Sequence, residues 1–227
     1  MLFRLLLPLI TLIPISGDAV ARSNAREPTR GPLAYMRVYG LADPPRGFVQ
    51  FCLKTPNECR SGKANDNRIE ATPAKVAELD EVNRSVNKAI KPITDRELYG
   101  VDELWTIPTT QGDCEDYVLL KRRILMSRRW PSSALLITVV LDENKQGHAI
   151  LTARTDAGDL ILDNKHDDLK LWHQTPYTFI MRQSYLNPMV WIALSPTDAD
   201  SPTVAAGARH STQPAAVQQQ PAAPSTR

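Results

Sequence analysis

The chain has 227 residues with 27 basic and 25 acidic side chains, a formal net charge of +2. A balance this close gives no electrostatic case for nucleic acid or for an anionic membrane surface, so recognition must come from a pocket or groove. Set apart from its two atypical ends, the chain is one domain's worth of sequence and enough to bury a single core.

Met1 to Ala21 holds Arg4, an apolar stretch from Leu5 to Ile15 interrupted by Pro8 and Pro14, and the small-residue ending Ala19-Val20-Ala21. This reads as a signal peptide over residues 1–21. The uncharged stretch falls short of the roughly 20 apolar residues that span a bilayer, and the ending predicts cleavage rather than anchoring. No later segment is long and apolar enough to span, so the expected location is periplasmic or secreted, without stable membrane insertion. At the other end, residues 195–227 are dominated by Pro, Ala, Gln, Ser and Thr and hold no aromatic residue. That composition predicts a disordered tail, which leaves residues 33–194 as the folded domain.

Leu33 to Arg46 is a mixed approach, with Asp43-Pro44-Pro45-Arg46-Gly47 reading as loop. Cys52 and Cys59 follow, and Pro56 and Asn57 between them can turn the chain back on itself. In an oxidising compartment these two form the natural disulfide and leave Cys114 as the odd thiol. Thr72-Pro73 then opens a helix, Thr72 as N-cap and Pro73 at the first helical position, and Val76, Leu79, Val82, Val86 and Ile90 give it an apolar stripe. Pro92 is its stop, and Thr94 to Thr110 reads as irregular. A second helix is predicted from Cys114 to Trp130, with Asp113 as N-cap. Its basic cluster, Lys121-Arg122-Arg123 with Arg128-Arg129, reads as a solvated face near the negative end of the dipole. From Ala134 the pattern changes to strands at Leu135 to Leu141, His148 to Arg154 and Leu160 to Asp163, with further strands at Tyr177 to Gln183 and Val190 to Leu194. Helices followed by an antiparallel meander give an α+β domain.

Chemistry concentrates on three residues of this pattern. Cys114 at a helix start lies where free backbone N–H groups and the helix dipole favour thiolate. His148 and Asp163 supply the base and orienting acid that a cysteine nucleophile needs. Their residue numbers sum to an odd value. So do the pairs set by a two-residue turn at Ala157-Gly158 or a four-residue turn at Thr155 to Gly158, so both side chains would share one sheet face. His166, His173 and His210 are weaker base candidates, being in polar loop or tail sequence. Trp105 is a candidate for an aromatic wall or for the core.

The segments Val82-Asn83-Arg84-Ser85-Val86-Asn87, Thr94-Asp95, Tyr99-Gly100, Trp105, Gly112-Asp113-Cys114-Glu115-Asp116-Tyr117, Gly147-His148-Ala149-Ile150-Leu151 and Gly158-Asp159-Leu160-Ile161-Leu162-Asp163-Asn164 closely resemble the bacterial transglutaminase-like cysteine proteinases. The resemblance implies a papain/transglutaminase-like architecture, with a central Cys helix packed on an antiparallel sheet. It also implies Cys114 as nucleophile, His148 as general base and acid, and Asp163 as the orienting carboxylate. Well-known members of that family are periplasmic proteases that release surface adhesins and use calcium near the nucleophile. By that resemblance a protein substrate, a periplasmic regulatory partner and a calcium site at Asp113, Glu115 and Asp116 are expected. Helix capping by Asp113 and Asp116 explains the same acidic residues without a metal. The leading expectation is an exported cysteine endopeptidase. A crosslinking transglutaminase with the same triad, and a non-catalytic calcium-responsive binding module, remain alternatives.

Overall fold

The computed structural model describes residues 34–60 and 68–196. The expected signal peptide and nearly all of the expected tail lie outside the described residues. In chain order the elements are β1 (Gly40–Ala42), α1 (Arg46–Lys54), α2 (Pro73–Ala89), β2 (Lys91–Pro92), α3 (Asp95–Tyr99), β3 (Gln111–Gly112), α4 (Cys114–Ser127), β4 (Leu135–Leu141), β5 (Gly147–Thr155), β6 (Gly158–Leu162), β7 (Lys170–Leu171), β8 (Thr178–Gln183) and β9 (Trp191–Ala193). Among the described residues no helix is long and apolar enough to cross a membrane.

The strands of the second half form where expected, but only β4 to β7 run as a meander: β8 returns to pair with β4, and β1 from the N-terminal approach joins the edge beside β9. Seven strands make one sheet in the order β1-β9-β8-β4-β5-β6-β7, and every pairing in it is antiparallel. In α2 the Thr72 hydroxyl accepts from the Lys75 amide at 3.2 Å, the N-cap bond that its type and position predict. Leu79, Val82, Val86 and Ile90 of its stripe are buried. They join Tyr117, Val118 and Leu125 of α4 and Ala149, Leu151 and Ala153 of β5 in the main core. The helix carrying Cys114 is therefore held between α2 and one face of the sheet.

Three departures from the sequence reading have local causes. Helix α1 begins inside the Asp43 to Gly47 segment read as loop, because Phe48, Phe51 and Cys52 form a one-sided apolar face. Its end is tied back by the Cys52–Cys59 disulfide. The segment read as irregular contains α3, opened by a reciprocal capping box between Thr94 and Glu97 and closed by Gly100 at φ 72°. The basic cluster of α4 is the third, since Lys121 and Arg122 are buried rather than solvated. Both find internal acceptors: Lys121 Nζ donates to Asn83 Oδ1 at 2.7 Å, and Arg122 donates to the carbonyls of Leu135 (3.1 Å) and Glu58 (2.9 Å). Arg123, Arg128 and Arg129 are exposed as expected, the first two pairing with Glu58 and Glu81.

Candidate active site

Parallel pairing of β2 with β3 fixes the chain just before Cys114, and Asp113 then stands at the N-cap of α4. Cys114 is the first residue of that helix and the one free cysteine. Its Sγ accepts from the amide of Ala149 at 3.5 Å, so the thiol touches β5 directly after His148.

The β5–β6 turn is the two-residue Asp156-Ala157, with Thr155 paired to Gly158. This register is the one a four-residue turn would also give. Continued past Leu151 opposite Leu162, it places Asp163 across from Ile150 and diagonal to His148, on the same face. The expected meeting follows: His148 Nε2 lies 2.9 Å from Asp163 Oδ1, and both side chains are buried. Asp163 Oδ1 also accepts from the Lys165 amide at 3.0 Å, and Oδ2 accepts from the Tyr177 hydroxyl at 2.5 Å. Burial alone would raise the Asp163 carboxyl, but the His148 hydrogen bond and charge, with the donors Tyr177 and Lys165, outweigh it and hold it at about 2. An ionised Asp163 accepts the proton on Nε2, which leaves Nδ1 as the ring nitrogen free to take a proton. Tyr177 was legible only as a strand start. Its role depends on β8 lying near the end of β6, which no local pattern encodes.

The thiol departs from the sequence argument. Burial pushes it well above its usual range, the Glu115 and Asp113 carboxylates push the same way, and the Ala149 amide opposes them. Cys114 Sγ donates to Glu115 Oε2 at 3.1 Å. The Glu115 carboxyl is itself driven far up by burial and by Asp113 and Glu103. Desolvation and the neighbouring carboxylates thus outweigh the helix dipole and favour the thiol over the thiolate.

The acidic residues divide into two sets. Glu115 faces the thiol. Asp113 and Asp116 meet Asp95, and ligand oxygens of these three lie within 4.8 Å of one another. Asp95 is not among the residues the sequence singles out for metal, and its only sequence signal is the Thr94-Asp95 pair within the family resemblance. Asp95 accepts from the Leu104 amide, and Asp116 Oδ1 accepts from the Thr106 amide at 2.9 Å. Asp113 makes no side-chain capping bond, so the capping explanation for its carboxylate does not hold. Instead, Asp113 Oδ1 and Asp116 Oδ2 are buried with no hydrogen-bond partner among the described residues. Burial, then the neighbouring carboxylates, raise Asp113 to about 6; burial, opposed by the Thr106 amide and reinforced by Asp113 and Asp95, raises Asp116 to about 8. Gly112 is required beside them, because a Cβ there would lie 2.4 Å from Asp116 Oδ2. Trp105 is core, packed edge-on to Phe48 with its indole N–H donating to Glu103 at 2.8 Å.

Comparison with curated proteins gives no match. Among solved structures the chain is similar to LapG of Legionella pneumophila in its calcium-bound form, at 24% identity and a TM-score of 0.46, over 56% of this chain and 72% of that one. The EGTA-treated form of LapG matches at 24% identity and a TM-score of 0.44, over 55% of this chain and 69% of that one. Residues 38–199, which contain Cys114, His148 and Asp163, match the family model of the bacterial transglutaminase-like cysteine proteinases. The chain belongs to that family, and is a transglutaminase-like cysteine peptidase.

Proposed function

We propose that this chain is an exported endopeptidase that cleaves a protein substrate, a surface adhesin being the class favoured, with Cys114 as nucleophile, His148 as base and acid, and Asp163 orienting the imidazole. The observation that carries the reading is the 2.9 Å contact between His148 Nε2 and Asp163 Oδ1, on a strand whose next amide touches Cys114 Sγ. With Nε2–H committed to Asp163, Nδ1 accepts the thiol proton. The thiolate then attacks the scissile carbonyl, forming the S–C bond. The C–N bond breaks as His148 returns the proton to the leaving amine. Water, deprotonated by His148, splits the thioester and restores the thiol. The Cys114 amide, first in α4, is the proposed oxyanion donor.

Asp95, Asp113 and Asp116 would hold a calcium ion. The fit rests on hard oxygen donors, two of them buried without partners, in a cradle that a Cβ on Gly112 would fill. Bound there, a cation supplies positive charge that offsets the carboxylates beside the nucleophile. Glu115, bonded to the thiol, is outside this donor set.

The test is to incubate wild type and Cys114→Ala with a bacterial surface-protein fraction in calcium, with and without dansylcadaverine, and read the products by mass spectrometry. Fragments made by wild type alone, free of dansyl label, support the endopeptidase. Identical fragments from both proteins would sink it, and dansyl incorporation without cleavage would assign acyl transfer instead.

A further inference from the structure

Asp163 lies beyond the last residue of β6, at the start of a loop that continues to residue 169. A carboxylate on a loop orients a histidine only if the loop is held, and here α2 holds it and α4 braces the α2 side chain that does so. From α2, Asn87 Nδ2 donates to the Asp163 carbonyl and to Asp167 Oδ1, both at 2.9 Å. One turn earlier, Asn83 Nδ2 donates to the carbonyls of His166 (3.0 Å) and Asp167 (2.8 Å). The remaining atom of that amide, Oδ1, accepts from Lys121 Nζ at 2.7 Å. Lys121 stands on α4 two helical turns after Cys114, and both it and Asn83 are completely buried.

An amine buried to this degree is costly, and an apolar side chain of similar volume generally packs at least as well. Stability alone is therefore a weak reason for a lysine here. What it joins is specific: the helix whose first residue is Cys114, and, through one amide, the loop whose first residue is Asp163.

We propose that Lys121 and Asn83 are positioning residues that lock the Asp163 loop against the Cys114 helix and so set the His148–Asp163 pair relative to the thiol. The proposal rests on the triad reading above. It also absorbs the Val82 to Asn87 segment, which the mechanism leaves unused.

The experiment follows iodoacetamide alkylation of Cys114 by intact mass, from about pH 5 to pH 9, in Lys121→Met, Asn83→Asp, Asp163→Asn and wild type, with thermal melting of each. This probe reads the availability of the thiolate without a substrate. Asn83→Asp keeps an acceptor for Lys121 but turns an oxygen toward the loop carbonyls, so it remains informative if Lys121→Met does not fold. Both variants are expected to be alkylated about tenfold more slowly near neutral pH, within what a misplacement of about 1 Å costs. Their pH profiles should follow that of Asp163→Asn. A merely structural role predicts lower melting temperatures with a wild-type profile, and that result in either folded variant overturns the proposal. If Asp163→Asn itself keeps the wild-type profile, the triad reading fails and this proposal with it. An altered Asp163→Asn beside unaltered Lys121 and Asn83 variants removes the proposal alone.

Discussion

Asp163→Asn tests the electrostatics of the site through folding stability, independently of any substrate. The Asp163 carboxyl is held at about 2, against about 3.9 for a free aspartate. The difference of about 1.9 units, at ~1.36 kcal/mol per unit, corresponds to about 2.6 kcal/mol. Because the folded value is the lower one, this stabilisation is complete above about pH 4 and is lost as the pH falls through about 2. The side chain is 3% exposed, so solvent screening removes little of it. Asparagine at 163 carries no such dependence. Urea unfolding of wild type and variant at intervals from about pH 6 to about pH 2 should show a stability difference that shrinks by about 2.2 kcal/mol, because Asp163 is still half ionised in the folded chain at the lower end. Other carboxylates titrate in both proteins and cancel in the difference. A difference that stays constant to within about 0.5 kcal/mol across the range would refute the reasoning, since Asp163 would then be no more stabilised as an anion in the folded chain than in the unfolded one.

The acidic cluster proposed to hold calcium predicts the opposite slope. Asp113 and Asp116 are raised to about 6 and about 8, so without a cation the folded chain binds more protons than the unfolded one, and stability falls as pH rises from about 4 through 8. Melting in EGTA should be lower at about pH 8 than at about pH 6, and about 1 mM calcium should raise it more at the higher pH; equal gains at both would contradict the assignment. Gly112→Ala leaves every charge in place but sets a Cβ 2.4 Å from Asp116 Oδ2. The calcium-dependent gain in melting temperature should disappear in that variant, and an undiminished gain would exclude Asp116 as a ligand. Cys52→Ala with Cys59→Ala opens a loop with a sequence separation of 7, for which chain entropy gives a loss of about 2.5 kcal/mol. Urea denaturation checks it, and a loss under about 0.5 kcal/mol would show that the folded core alone fixes this turn.

What local sequence could show depended on whether one segment carried the whole signal. The Thr72-Pro73 start of α2 and its apolar stripe are local, and they are where expected. The same holds for the β4–β5–β6 meander, whose short turns set sequential partners, and for the parity that puts His148 and Asp163 on one face, whereas the return of β8 to β4 is not local. Helices α1 and α3 were missed for a different reason. Each is short: α1 has an apolar face of only two turns following the Pro44-Pro45 pair, and α3 spans five residues whose sole local signal is the Thr94–Glu97 capping box. Lys121 was misread because a charged side chain on a helix is ordinarily solvated, and its acceptor on α2 is 38 residues away in sequence.

By itself the sequence determined the α+β order, the free thiol at the start of a helix, the Cys52 and Cys59 pairing and the shared face of His148 on β5 and Asp163 just past β6. These follow from spacing, periodicity and residue chemistry, which act over a few residues. Tertiary structure alone decided which carboxylate does what. Asp95 arrives from a separate helix to join Asp113 and Asp116, while Glu115, adjacent to them in sequence, turns to the thiol. It decided as well that the thiol rests protonated, because desolvation and carboxylate charge depend on what the fold packs around Sγ, and there they exceed the helix dipole.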